Sequence, residues 1–226
     1  MLQGFEWYLP ADGLHWERLT LEAGNLHKAG IDMIWLPPAY KGAGGAESVG
    51  YDVYDKYDLG EFNQRGTVAT KYGSKEEYLA CIRACKEQGM EVIGDIVLDH
   101  LMGADESQVI TVVEDSFVDR NQQISGEHEI EAWTRFTYPG RGGKYSTEEW
   151  SAHDFNGTDF DNIEKRTGLF RIEGKTWNRG TDINILNPTD EKVAVGADGC
   201  GEFYVADNTA AVWVREAAYK SIELKK

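Results

Sequence analysis

The chain of 226 residues is acidic, with a formal net charge of -16 and a pI near 4.7. That charge excludes nucleic-acid backbones and anionic membrane surfaces as partners, because both repel it, and directs attention to neutral or cationic ligands. The length suffices for one large or two small cores, and no run reaches the ~20 apolar residues of a membrane span.

From the N-terminus, Leu2 to Tyr8 reads as a short strand that ends at Pro10 and the turn Asp12-Gly13. Apolar positions Leu14, Trp16, Leu19, Leu21, Ala23 and Leu26 suit an amphipathic helix closed by Gly30. Ile31 to Leu36 is then a second strand, stopped by Pro37-Pro38, so the opening is β-α-β and implies parallel pairing. A long glycine-rich connection from Lys41 to Gly50 follows, and then the aromatic and acidic run Tyr51 to Leu59. Loops of that length on a compact fold are functional or disordered, and its aromatic content favours function. Ser74 followed by Glu77 is a capping box that opens a helix over 75–88.

The third strand, Met90 to Leu98, ends in Asp99-His100 and a glycine-containing loop. In α/β folds ligand-binding groups sit just past the carboxyl ends of such strands, so Asp95, Asp99 and His100 are candidates to line a site. From Ala104 to about Trp177 the text is rich in Gly, Asp and aromatics, with β-like pieces at Trp133–Tyr138 and Gly168–Ile172. Beyond Asp182 come short alternating strands, Lys192–Val195, Glu202–Val205 and Ala210–Val214, with Asp-Gly and Asp-Asn turns between them. Cys81 and Cys85 share one helix face and read as small buried hydrophobes; with Cys200 far away, three cysteines make a poor disulfide framework. The remaining histidines, His15, His27, His128 and His153, show no metal-ligand pairing and read as surface or structural. The first residues carry neither a basic nor an apolar leader pattern, so a cytoplasmic setting is expected. Trp7 and Trp35 read as core aromatics.

Several ordered segments resemble the α-amylase family of glycoside hydrolases (family 13), in its bacterial liquefying or cytoplasmic branch. They are Gln3-Gly4-Phe5-Glu6-Trp7-Tyr8, Trp35-Leu36-Pro37-Pro38-Ala39-Tyr40-Lys41-Gly42, Gly50-Tyr51-Asp52-Val53-Tyr54-Asp55, Tyr57-Asp58-Leu59-Gly60-Glu61-Phe62 and Gly94-Asp95-Ile96-Val97-Leu98-Asp99-His100. Further along, Asp119-Arg120-Asn121, Ile124-Ser125-Gly126-Glu127-His128, Pro139-Gly140-Arg141-Gly142 and Phe155-Asn156-Gly157-Thr158-Asp159 extend the resemblance to roughly residue 178.

The resemblance implies an α/β fold. Residues 1–103 would be the first three strands of a TIM (β/α)8 barrel, 104–178 an inserted domain B, and 179–226 a remnant of the C-terminal β-sandwich. It implies hydrolysis of α-1,4-glucans such as starch, glycogen and maltooligosaccharides by a retaining mechanism. Tyr51 resembles the aromatic platform for the sugar at the cleavage point, His100 the histidine bonded to its hydroxyls, and Asp95 a supporting carboxylate. Calcium is the implied cofactor. Asp99 falls where the branch has Asn, and Asn156 where calcium-rich members have Asp, which leaves the ligand set incomplete.

No segment resembles the strand ending in the family's nucleophilic Asp, the strand carrying its acid Glu, or its Asn-His-Asp segment. The expectation is therefore a chain without barrel strands 4–8, spliced near Asn178–Thr181, with no catalytic nucleophile or acid/base, and inactive alone. An alternative is a non-catalytic glucan-binding fragment or relic, and a metal-dependent hydrolase using Asp95, Asp99 and His100 is a third reading. A barrel stopped after three strands exposes an edge and an apolar interior, so self-association through that edge is also expected.

Overall fold

The computed structural model describes residues 1–177 and, beyond them, the backbones of three short strands. The chain divides into two compact units: Met1–Ser107 with Trp133–Trp150, and Gln108–Ala132 with the chain from Ser151 on.

In the first unit, β1 (Leu2–Gln3) leads through α1 (His15–Lys28) to β2 (Met33–Leu36). The hairpin of β3 (Lys41–Gly42) and β4 (Val53–Asp55) precedes α2 (Lys75–Glu87) and β5 (Glu91–Gly94). β2 lies between β1 and β5 and is parallel to both, with Leu2 opposite Ile34 and Met33 opposite Glu91. Both helices lay apolar faces on this sheet: Trp16, Ala23, Ile34, Leu36, Tyr72, Cys81, Cys85 and Met90 form one buried cluster. Each fully buried aliphatic or aromatic side chain there contributes roughly 1.5–3 kcal/mol. The Ser74–Glu77 capping box is formed in both directions, and Cys81 and Cys85 are free and buried.

The first strand is shorter than the sequence pattern predicts, because the chain turns at Glu6, whose carboxylate accepts the Tyr8 N–H at 2.6 Å. The third strand stops pairing after Gly94. Its continuation is held instead by Asp95 N–H donating to the Leu36 carbonyl at 3.1 Å and Val97 N–H donating to the Tyr40 hydroxyl at 2.8 Å.

The long connection between β3 and α2 is ordered around buried charge. Lys41, wholly buried, donates to the carbonyls of Phe62, Thr67 and Val68 at 3.1, 2.8 and 2.5 Å, and lies 3.5 Å from Asp58. Asp58 Oδ1 accepts from the N–H groups of Gly60, Glu61 and Phe62, and Gln64 bridges Asp55 and Asp58. Arg141 closes the network onto Asp55 at 2.8 Å, its guanidinium facing the rings of Tyr57 and Tyr138. Burial pulls the Lys41 ammonium below its ordinary value, and Asp58 opposes that pull. At the surface of the same unit, Lys144, Lys75 and Tyr145 hydrogen-bond Glu61 and hold its carboxyl down at about 2.

The second unit is built on a four-stranded sheet in the order β7-β6-β9-β8, formed by β6 (Glu106–Asp115), β7 (His128–Arg135), β8 (Gly157–Asp161) and β9 (Arg166–Ile172). Ile110, Val112, Ile130, Ala132, Phe170 and Ile172 share its buried face. The sequence pattern locates β7 and β9 approximately and misses β6 and β8. A three-stranded antiparallel sheet follows, with β10 (Thr181–Asn184) between β11 (Lys192–Ala194) and β12 (Trp213–Arg215). The expected strand Glu202–Val205 and Cys200 lie outside the described residues. No described helix is long and apolar enough to cross a membrane.

Candidate functional site

Three of the sequence-selected residues meet at the carboxyl end of β5. Tyr51 follows Gly50, whose φ of +95° carries the backbone over Pro38; a Cβ at Gly50 would lie 2.7 Å from Pro38 Cβ and 2.8 Å from its carbonyl oxygen. That turn aims the Tyr51 hydroxyl at Asp95, to which it donates at 2.8 Å. Burial, then the neighbouring Asp95, push the Tyr51 phenol above its ordinary value, so it remains a proton donor at neutral pH.

His100 crosses over the same segment. Its Nε2 lies 2.7 Å from the Tyr51 carbonyl oxygen and its Nδ1 3.0 Å from Asp99 Oδ1. Both ring nitrogens thus face oxygen acceptors. Asp99 is 83% exposed in its side chain.

Two aromatic residues belong to this cluster that the sequence reading did not assign to it. Trp7, expected in the core, is 58% exposed and stacks parallel to Tyr51, with ring centroids 6.0 Å apart and planes within 3°. It stands outside because β1 ends at Gln3 and the following turn carries the indole out of the sheet; the Gly-Phe-Glu-Trp-Tyr segment after a strand end was the available signal. Trp35 is half-buried and meets Phe5 edge to face at 5.3 Å. Tyr40, buried beneath, accepts from Val97 N–H; burial first, and then the charges of Asp95 and Asp99, push its phenol up to about 12. Lys56 is pulled down by burial, with Asp99 opposing.

The cluster therefore offers a flat aromatic pair at the surface, flanked by a carboxylate and an imidazole already fixed by hydrogen bonds. Such a combination offers a polar ring an apolar face to stack on and fixed donors and acceptors for its hydroxyls.

Asn156 lies in the second unit, where its carbonyl accepts the Ile172 N–H at 3.0 Å, whereas Asp99 lies in the first. Among the described residues no three or more His, Cys, Asp or Glu side chains gather as a metal would require, and calcium takes six to eight oxygens. No carboxylate-rich cluster of that kind lies among the described residues, and no chemical step is routed through calcium. Of the other histidines, His15 is buried with Nε2 2.7 Å from the Gly4 carbonyl, a structural contact.

The sequence profile described as "Alpha amylase, catalytic domain" matches residues 21–154, more than half of the chain, including Tyr51, Asp95 and His100 but not Trp7. The chain belongs to the α-amylase family. Among its relatives, the glucan 1,4-alpha-maltohexaosidase of Bacillus sp. (strain 707) is 48% identical over 190 residues, covering 83% of this chain and 36% of the relative. The alpha-amylase of Geobacillus stearothermophilus is 49% identical over 189 residues, covering 83% and 34%. The cytoplasmic alpha-amylase of Escherichia coli (strain K12) is 44% identical over 191 residues, covering 83% and 39%. This α-amylase family chain thus spans between 34% and 39% of the length of these relatives. A truncated alternansucrase from Leuconostoc mesenteroides NRRL B-1355 superposes with a TM-score of 0.56 at 18% identity, over 88% of this chain and 22% of that one. At that identity the likeness shows the fold alone, and it supports a partial TIM-barrel-type fold.

Proposed function

We propose that this chain recognises α-1,4-glucans through Tyr51, His100 and Asp95, with Trp7 extending the stacking surface, and does not itself cleave them. The observation that carries the reading is the Trp7–Tyr51 stack anchored to Asp95 and His100. The names of the relatives, alpha-amylases and a maltohexaosidase, supply the substrate class.

Retaining hydrolysis needs two carboxyl groups about 5–5.5 Å apart across the scissile bond, one free to attack and the other to donate a proton. Asp95 accepts the Tyr51 hydroxyl and Asp99 faces His100; each is an orienting group in this network. No other segment matches the family's nucleophile or acid motifs. In this reading 1–103 is the start of the barrel, 104–178 its domain B and 179–226 a C-terminal remnant, with the protein in the cytoplasm.

Incubation with maltoheptaose at high protein concentration is expected to release no reducing ends above the protein-free blank. Release that scales with protein and disappears in Asp95→Asn or Asp99→Asn would overturn the non-cleaving reading and favour an active hydrolase.

A further inference from the structure

The second unit holds an open cavity of about 280 Å³ lined by Arg120, Asn121, Arg171, Thr176 and Trp177. Its indole is fixed from two sides. Trp177 Nε1 donates to Asp115 Oδ2 at 2.7 Å, and the Asp115 side chain is 1% exposed and also held by Arg171 at 2.7 and 3.2 Å. The far end of the ring seats over Gly157, where a Cβ would come within 2.4 Å of Cη2 and 2.8 Å of Cζ3. Gly157 is in a conformation open to any residue, so the glycine serves space and not backbone freedom.

Over the remaining ring lies the Arg120 guanidinium, 5.9 Å from the centroid, with no carboxylate partner among the described residues. Beside it Asn121 is pinned by Asp119, which accepts both its backbone and side-chain N–H groups at 2.9 Å. Arg171 is neutralised by Asp115, which leaves Arg120 as a single cation at the margin of the cavity. An anion site gathers several unpaired cations, whereas among the described residues only Arg120 is left without a carboxylate here. A rigid indole with a forked donor and an amide at its margin matches a neutral sugar ring, the apolar face on Trp177 and the hydroxyls toward Arg120 and Asn121. The volume lies just below the range of ligand sites, about 300–1,000 Å³, and suits one ring of a longer chain that continues out of the open mouth.

We propose that this cavity is a second glucan-binding position, with Trp177 as its platform and Arg120 as its main hydrogen-bond donor. The choice of glucan rests on the substrate class proposed above. The test uses the full chain labelled with 5-fluorotryptophan, with the resonances of Trp7 and Trp177 assigned from Trp7→Phe and Trp177→Phe. Maltoheptaose is expected to move both resonances, and the Trp177 response is expected to persist in Tyr51→Ala. Arg120→Ala, a surface change, should weaken the Trp177 response roughly tenfold.

A Trp177 resonance that stays fixed while Trp7 saturates would overturn this inference and leave the first site standing. Movement of Trp177 alone would uphold the inference and overturn the first site; movement of neither would overturn both. Loss of the Trp177 response in Tyr51→Ala, an unchanged affinity in Arg120→Ala, or a response to inorganic phosphate and not to maltoheptaose would each overturn the inference.

Discussion

Lys41→Met is expected to destabilise the protein by about 3–5 kcal/mol, the cost of removing one partner from a buried ion pair. The lysine and Asp58 are both wholly buried, 3.5 Å apart, and methionine fills much of the lysine volume, so the loss is electrostatic and not steric. Three carbonyls, those of Phe62, Thr67 and Val68, lose their donor at the same time. Asp58 keeps its three backbone N–H donors and Gln64, which places the cost within that range and not above it. Against a typical total of about 5–15 kcal/mol, this is a large fraction. The melting midpoint should fall by roughly 6–20 °C. Adding Asp58→Asn to Lys41→Met removes the uncompensated charge and should recover part of the loss. A single variant melting within a degree of the parent would refute the account of how this connection is ordered.

In solution the chain is expected to associate through the β5 edge, with a second copy of itself as the partner. β5 is the last strand of its sheet among the described residues. Past it the chain exposes Ile96 and Leu98, at 59% and 71%, together with half-exposed Met102. A free strand edge beside apolar side chains is an association site that native sheets otherwise cover or charge. The opposing term is repulsion between copies carrying -16 each. It is screened beyond about 8 Å at physiological ionic strength, whereas apolar burial is not. Association should therefore strengthen as salt is raised. Sedimentation velocity checks this: species heavier than the 25.4 kDa chain are expected at physiological salt, and Ile96→Lys with Leu98→Lys should weaken the assembly more than tenfold. A single monomer across the whole salt range would contradict it.

The parts of the fold that were legible in sequence are those set by local chemistry. Ser74 and Glu77 cap α2 by contacts three residues apart, and the apolar spacing of Trp16, Leu19, Ala23 and Leu26 needs only one helix to make sense. Lys41 shows the opposite case: a lysine reads as surface, and its burial depends on carbonyls 21 to 27 residues away. β6 escaped notice although Val109, Ile110, Thr111, Val112 and Val113 form an unbroken β-branched run, because acidic and polar residues crowd both of its ends. The partners of β6 are β7 and β9, far along the chain.

At the site, Asp95 and His100 were legible from the end of the third strand and Tyr51 through the family resemblance, and the three are joined by hydrogen bonds. Trp7 was assigned to the core because the pattern runs the first strand to Tyr8, whereas the strand ends at Gln3, four residues before it. Trp177 and Arg120 carried no signal, since their meeting depends on Gly157 and Asp115.

The most direct test of the central claim follows the His100 imidazole by NMR, assigned from His100→Gln, while maltoheptaose is added to the folded chain. The ring lies against the Tyr51 carbonyl and Asp99, so a sugar stacked on Tyr51 changes its surroundings. The account predicts a saturable shift in the parent chain that is absent in Tyr51→Ala. A folded chain whose His100 signal does not move, or moves equally in Tyr51→Ala, would contradict it.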